Sequence, residues 1–386
     1  MKKFFAMMMA IVMCVACMTA CSAPAGSANV GDGSTIIIGG VGPLTGDYAN
    51  YGTSVRNGMA QAVEEINANG GINGMNVVLD FQDSAADPDS AVAAYGKLMD
   101  NGMNIFTGGT LSGETASVVA AAIEDGIAIV TPTATADAAI QGNPNAFRVC
   151  FTDSSQGLAS ADYIADNKMA DKVAVFYQSD IDYSVGLFEN FKAQCATRGV
   201  EIVEVQTFTA DSATDFSTQI NAIADSGVSL VYIPIYAAEA STFLTQAQGK
   251  LDGKIFFGCD GLDGILGKVS DPAIAENVLM LTPFAADSTE ADVQAFVSGY
   301  QAAYNAVPDQ FAASSYDTIY AIKAAVEAAN VTTADAEFSS KVVAAMTTIE
   351  VDGVTGTMTW GENGETTKAA QAMIIHDGVA SLYAVG

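Results

Sequence analysis

Residues 35–41 are an apolar run of strand length, with Ile36, Ile37, Ile38 and Val41. Over 54–69 the period changes. Val55, Met59, Ala62, Val63 and Ile66 recur at helical spacing on one face. Asn69-Gly70-Gly71 ends that helix, because glycine accepts the left-handed cap conformation. Val77, Leu79 and Phe81 then alternate as in a strand. The pattern predicts a second helix over 88–101 opened by Pro88, a strand at Ile105-Phe106, a helix over 114–125 and a strand over 127–130. Strand–helix–strand order of this kind gives a parallel sheet covered on both faces.

A second cycle starts near Ser155. Strands are predicted over 173–177, 200–207, 228–233 and 254–258. Helical stripes fill the gaps, at Phe188, Phe191 and Cys195 and again at Phe216, Ile220 and Ile223. Helical patterns follow over 289–305, 314–329 and 336–347. The tail reads as short strands over 355–360, 372–375 and 380–383. Asn363-Gly364 and Asp377-Gly378 stand between them as hairpin signals. The expected fold class is α/β, with two Rossmann-like parallel-sheet units.

Length agrees, since 386 residues suffice for two domains with their own cores. The N-terminus carries Lys2 and Lys3, then an apolar run over 4–20. The run is short for a membrane span and has the form of a secretory leader. It ends Met18-Thr19-Ala20-Cys21, followed by a polar linker over 21–34. The formal charge of −29 would repel phosphate backbones, so nucleic acid is not an expected partner. Of six cysteines, Cys14, Cys17 and Cys21 belong to the leader. Cys150, Cys195 and Cys259 are far apart and fit small apolar core positions. With His376 as the one histidine, neither a zinc cluster nor a Ser/His/Asp triad is expected. Gly40-Val41-Gly42-Pro43-Leu44-Thr45-Gly46 fails as a dinucleotide fingerprint, because its third glycine is one position late and Pro43 intrudes. No cofactor is expected.

Ligands of open α/β sheets bind beyond the carboxyl ends of the strands. There the first unit offers Gly108-Gly109-Thr110-Leu111-Ser112-Gly113. Its glycines allow close approach, and the helix behind it presents free N–H groups that suit a carboxylate. Ser112 reads equally as an ordinary N-cap. The neighbouring strand end gives Thr131-Pro132-Thr133-Ala134-Thr135, a rigid polar loop. The second unit offers Tyr183, Tyr236 and Asp260 at its own strand ends. A carboxylate there can pair with an ammonium group, and tyrosine rings can wall an apolar side chain or face a cation.

GPLTGDYANYG, NGMAQAVEEINANGGINGMNV, DPDSAVAAYGKLMDNG, TPTATADAAI, DSSQGLASADYIAD and YSVGLFENFK occur in this order. Together they resemble the branched-chain amino-acid (Leu/Ile/Val) binding proteins, the type I periplasmic binding proteins of ABC importers. The resemblance spans nearly all of the chain after the leader. It implies two lobes joined by a three-segment hinge, with 35–151 and 283–358 forming the N-terminal lobe and 152–282 and 359–386 the C-terminal lobe. It implies cleavage after residue 20 as a lipoprotein signal peptide, and lipidation of Cys21. The lipid would hold the protein on the extracytoplasmic face of a bacterial membrane, beside a permease and its ATPase subunits. Carried over by position, Ser112 and the loop around it, with Thr135, would take the ligand carboxylate. Thr133 would offer its backbone to the ammonium group and Asp260 would pair with it. Tyr183 and Tyr236 would cover the ligand, and Tyr51 would line the side-chain pocket, with Tyr316 added to that wall. There are departures. Asp260 stands where some relatives have the longer glutamate, Ile233-Pro234-Ile235-Tyr236 is bulkier than expected, and the first-lobe disulfide of founding members has no counterpart. An amide, an aromatic acid or another small solute remains open as the ligand, as does a sensor role. An enzyme would need a nucleophile–base pair, and the sequence offers none.

Overall fold

The computed structural model describes residues 31–383. The leader and Cys21 lie outside the described residues. Strands β1 (Thr35–Gly42), β2 (Asn76–Asp83), β3 (Ile105–Phe106), β4 (Ala128–Thr131) and β5 (Ala146–Arg148) form one parallel sheet in the order β2-β1-β3-β4-β5. Its apolar runs are continuous because both faces are covered. On one face Ile36, Ile38 and Val130 pack under α1 (Ala49–Ala68). On the other Phe106, Ile129 and Val41 pack against α2 (Pro88–Asp100) and α3 (Ser112–Ala121). Helix α1 starts before the predicted position 54. Its added first turn carries Tyr51, which is 1% exposed and packs edge-on against Phe311. Helix α3 is shorter than the predicted 114–125; it stops at Ala121 and a 3₁₀ turn, Ile123–Asp125, follows.

After β5 the chain crosses to a second sheet. Here α4 (Asp153–Asp166), α5 (Asp182–Arg198), α6 (Ser217–Ser226) and α7 (Ala237–Ala247) alternate with β6 (Lys172–Gln178), β7 (Glu201–Phe208), β8 (Leu230–Tyr232), β9 (Ile255–Gly258) and β10 (Val278–Thr282). The chain then returns to the first lobe as α8 (Ala291–Tyr304), α9 (Gln310–Ala329), α10 (Phe338–Met346) and the hairpin β11 (Glu350–Gly353)–β12 (Gly356–Thr359). Helix α9 lies along α1, and α10 packs towards β4. A last crossing brings β13 (Gln371–His376) and β14 (Val379–Leu382) onto the second sheet, whose order is β14-β13-β10-β9-β8-β6-β7. These two strands run antiparallel at its edge, so that sheet is mixed.

Asp377-Gly378 makes the predicted hairpin, with both residues at positive φ. Asn363-Gly364 does not. β12 pairs with β11, and the 363–364 turn instead lies within the last crossover, where Gly364 O accepts the Arg148 N–H at 2.9 Å. Strands β5, β10 and β11 have no counterpart among the predicted elements. Cys150, Cys195 and Cys259 are buried free thiols.

Candidate functional site

Both sheets point the carboxyl ends of their parallel strands at one cleft. A small, nearly closed cavity lies there, lined by Tyr51, Thr110, Leu111, Ser112, Thr133, Thr135, Tyr183, Tyr236, Asp260 and Phe311. Every cleft residue singled out from the sequence except Tyr316 lies on this wall. Tyr316 points elsewhere: its hydroxyl bonds Glu65 at 2.5 Å and its ring packs on Phe296. Thr110 and Leu111 belong to the loop read together with Ser112, and Phe311 was missed. The apolar pattern places the helix start at 314, but Asp309 caps α9 by accepting from Ala312 N at 2.9 Å, which puts Phe311 in the first turn facing the cleft. A larger groove along Leu244, Lys254 and Phe256 sits at the amino end of β9, the wrong end of the sheet for a ligand.

On the first lobe, Glu114 organises the loop that precedes α3. Its carboxylate accepts from Thr110 N at 2.8 Å, Leu111 N at 2.9 Å and the Ser84 hydroxyl at 2.6 Å. Burial pushes Glu114 up to about 7 against those donors. Gly109 has no room for a side chain, since a Cβ would stand 2.8 Å from Glu114 Cγ and 2.9 Å from Thr115 N. Ser112 is therefore not the N-cap; it is the first residue of α3. Its Oγ accepts from Ala136 N at 3.1 Å, which leaves its own proton to donate. Thr133 Oγ1 donates to Thr110 O at 2.7 Å and locks the two loops together. Arg148 is fully buried. Its Nη1 donates to Ala134 O, Thr135 O and Ala136 O at 3.0, 2.8 and 3.1 Å. Its Nε pairs with Glu365 at 2.8 Å. The guanidinium thus clamps the 133–137 loop from behind.

On the second lobe, Tyr183 opens into the cleft from the first turn of α5. Its hydroxyl donates to Asp260 Oδ1 at 2.9 Å and accepts from Gly261 N at 2.9 Å. Asp260 N donates to Gln156 Oε1 at 3.1 Å. Burial pushes Asp260 up to about 6, partly offset by Gln156, Tyr183 and the Gly261 amide. Tyr236 stacks on Tyr183 with centroids 4.5 Å apart and planes 5° apart. Burial raises the hydroxyls of Tyr51, Tyr183 and Tyr236 well above the ordinary tyrosine value, so all three stay protonated.

The lobes touch across the cleft. Tyr51 Oη donates to Gly261 O at 2.7 Å and accepts from Ala237 N at 2.8 Å. Its ring lines the cavity while its hydroxyl holds two backbone segments of the opposite lobe. Gln310 N donates to Asp263 Oδ2 at 2.9 Å, so the second lobe adds a cap to α9. Tyr48 meets Glu239, and Lys268 meets Asp47 O, at the rim.

Two hinged α/β lobes that close on a small polar–aromatic cavity at their strand ends define a solute-binding protein. Residues 35–378 match the family model described as periplasmic binding protein. The chain is 31% identical to the Leu/Ile/Val-binding protein BraC3 of Rhizobium johnstonii, covering 86% of this chain and 89% of that one. It is 28% identical to the Leu/Ile/Val-binding protein of Escherichia coli, covering 84% and 86%. Its fold is similar to the branched-chain amino-acid transporter substrate-binding protein LivJ of Streptococcus pneumoniae, solved with isoleucine, at TM-score 0.82 and 28% identity over 91% and 99% of the two chains. A solute-binding protein of R. palustris solved with benzoate shares the fold at TM-score 0.81 and 21% identity over 90% and 95%. The chain belongs to the branched-chain amino-acid (Leu/Ile/Val) binding family of periplasmic binding proteins, the substrate-binding components of ABC transporters.

Proposed function

We propose that this protein binds an amino acid with an apolar side chain in the interlobe cavity and delivers it to an ABC permease. The observation that carries the reading is the arrangement of charge. Ser112, Thr135 and the amino end of α3 offer donors on one lobe, which suits a carboxylate. Asp260, buried on the other lobe, offers an acceptor for an ammonium group. Tyr51, Leu111, Tyr236 and Phe311 wall the space between with apolar surface. Among the described residues, no basic side chain lines the cavity. An aromatic acid such as benzoate would bring a second negative charge beside Asp260 with nothing to offset it, which disfavours that class here. Closure is favoured by what the ligand adds to the contacts that the lobes already make through Tyr51 and Asp263. By its sequence, Cys21 would carry the lipid that keeps the binder beside its permease.

The test is a thermal-shift and calorimetric screen of the chain from Cys21 onwards against leucine, isoleucine, valine, benzoate and small amides. Saturable binding of the aliphatic amino acids is expected. Asp260→Ala should weaken that binding by about 30-fold or more, since it leaves the ammonium group buried and unpaired. Preference for benzoate, or an unchanged affinity in D260A, would overturn the reading.

A further inference from the structure

Two cavity residues on opposite lobes are held by the same helical turn. Helix α4 begins directly after the chain first crosses between lobes, with Thr152 as its N-cap and Asp153 as its first residue. The N–H of Asp153 donates to Thr135 O of the first lobe at 2.8 Å. The Ser154 hydroxyl donates to Asp137 Oδ1 of the same loop at 3.0 Å. At the other end of the turn, Gln156 Oε1 accepts from the N–H of Asp260 on the second lobe at 3.1 Å. Thr135 and Asp260 both line the cavity. They are far apart in sequence, and α4 joins them through residues 153–156.

The turn itself is stiff. Thr152 and Ser155 cap each other, Ser155 N to Thr152 Oγ1 at 3.0 Å and Thr152 N to Ser155 Oγ at 3.1 Å. The backbone N–H of Gln156 donates to Thr152 O at 2.9 Å. At Gly157 an added Cβ would stand 2.7 Å from Leu187 O and 2.9 Å from Phe191 N, so α4 is pressed against α5. Helix α5 carries Tyr183, whose hydroxyl donates to Asp260 Oδ1. The carboxylate of Asp260 is thus held from α5 and its backbone from α4. Gln156 is 2% exposed, and its Nε2 meets no acceptor in hydrogen-bond geometry. A buried amide with one half unpaired costs free energy that an apolar side chain of the same length would not. The bond from its other half to the Asp260 backbone is the use the fold makes of it.

We propose that the first turn of α4 is a strut that sets the spacing between the Thr135 hydroxyl and the Asp260 carboxylate, with Gln156 as its positioning residue, and that this spacing selects ligands whose carboxylate and ammonium groups sit on one carbon. A helical turn has a fixed rise, so the two ends cannot drift independently. Groups supported in this way are held to within about 0.5 Å. An α-amino acid presents its two charges at one separation. A β-amino acid sets them one bond further apart, so it meets one end of the site and misses the other. This rests on the amino-acid reading above and deepens it, from amino acids to α-amino acids.

The experiment titrates wild type and Gln156→Met calorimetrically with L-leucine and its isomer β-leucine (3-amino-4-methylpentanoate). Methionine keeps the length of the side chain and removes the acceptor for Asp260 N–H. Wild type should prefer leucine. The ratio of the two affinities should fall about tenfold in Q156M, the scale of one buried donor left unpaired, with most of the change on leucine. Should Q156M not fold, Ser154→Ala takes its place. It cuts the strut's second bond to the first-lobe loop without touching the core, and the ratio should fall about threefold. A wild type that binds both isomers equally overturns the inference. So does a variant that leaves the ratio unchanged, including one that weakens both probes together, which marks a merely structural residue. Those outcomes leave the amino-acid reading standing, because leucine still binds. A wild type that binds no amino acid ends that reading, and the strut with it.

Discussion

Asp260 carries a consequence for pH that can be signed from its surroundings. Burial, together with the nearby acid Asp263, outweighs Gln156, Tyr183 and the Gly261 amide, and holds the group near 6. A carboxyl raised above its unfolded value takes up a proton on folding. Its contribution to the stability of the unliganded chain therefore improves as pH falls from about 6 towards 4. Ligand affinity moves the other way, because an ammonium group pairs with the ionised form. Leucine binding should be level above pH 7 and about tenfold weaker at pH 5, and Asp260→Asn should flatten the profile over that range. A wild-type affinity constant from pH 5 to 7 would contradict the ammonium pairing. At this scale the sequence was legible where a residue follows a strand directly, as Thr133 and Asp260 do. It was not legible where the role depends on depth. Tyr51 reads as a pocket wall, yet its hydroxyl spans the cleft, and no pattern in the chain marks that reach. Ser112 reads as a cap because serine favours caps, yet Glu114 had already taken the orphan amides of Thr110 and Leu111.

Between elements, the position of Tyr51 is set by how closely α1 lies on α9. At Gly58 an added Cβ would stand 2.1 Å from Ala312 O, so the two helix backbones are nearly in contact there. Gly96, on the outer side of α2, has nothing within 4 Å. The same substitution should therefore have opposite signs. Gly58→Ala should destabilise by about 1–3 kcal/mol through overpacking, while Gly96→Ala should stabilise by about 1 kcal/mol through helix propensity. Denaturant unfolding of the two variants checks this, and a destabilised G96A or a neutral G58A would refute the packing account. The long amphipathic helices and continuous buried strands of both lobes were legible because period and burial agree there. The short strands β5 and β11 were not, since three or four residues hold too little periodicity. The Asn363-Gly364 signal misled for a different reason. A turn dipeptide fixes local backbone, while pairing depends on what lies across from it, and here Arg148 does.

Closure of the whole molecule turns on three crossings, and the last is bolted to the end of β5. Trp360 Nε1 donates to Arg148 O at 2.7 Å, Arg148 N donates to Gly364 O, and Glu365 pairs with the Arg148 guanidinium, which in turn clamps the 133–137 loop. Loop and crossover are therefore tied together, and closing on a ligand is expected to change the surroundings of Trp360. The chain has one tryptophan, so its emission reports this joint alone. It is 4% exposed in the closed form. Titration with leucine should change its intensity or emission maximum in a saturable way. Tyr51→Phe keeps the ring in the cavity wall and removes both interlobe bonds of its hydroxyl. It should leave the amplitude at saturation unchanged and move the midpoint to about tenfold higher leucine, the scale of one or two net hydrogen bonds. The division follows from the geometry: Tyr51 sets how readily the lobes close, and the Arg148–Trp360 joint sets what closing does to the indole. A Y51F titration with the wild-type midpoint would show that its hydroxyl contributes nothing to closure. A silent tryptophan in a wild-type chain that binds leucine would show that the third crossing does not bend.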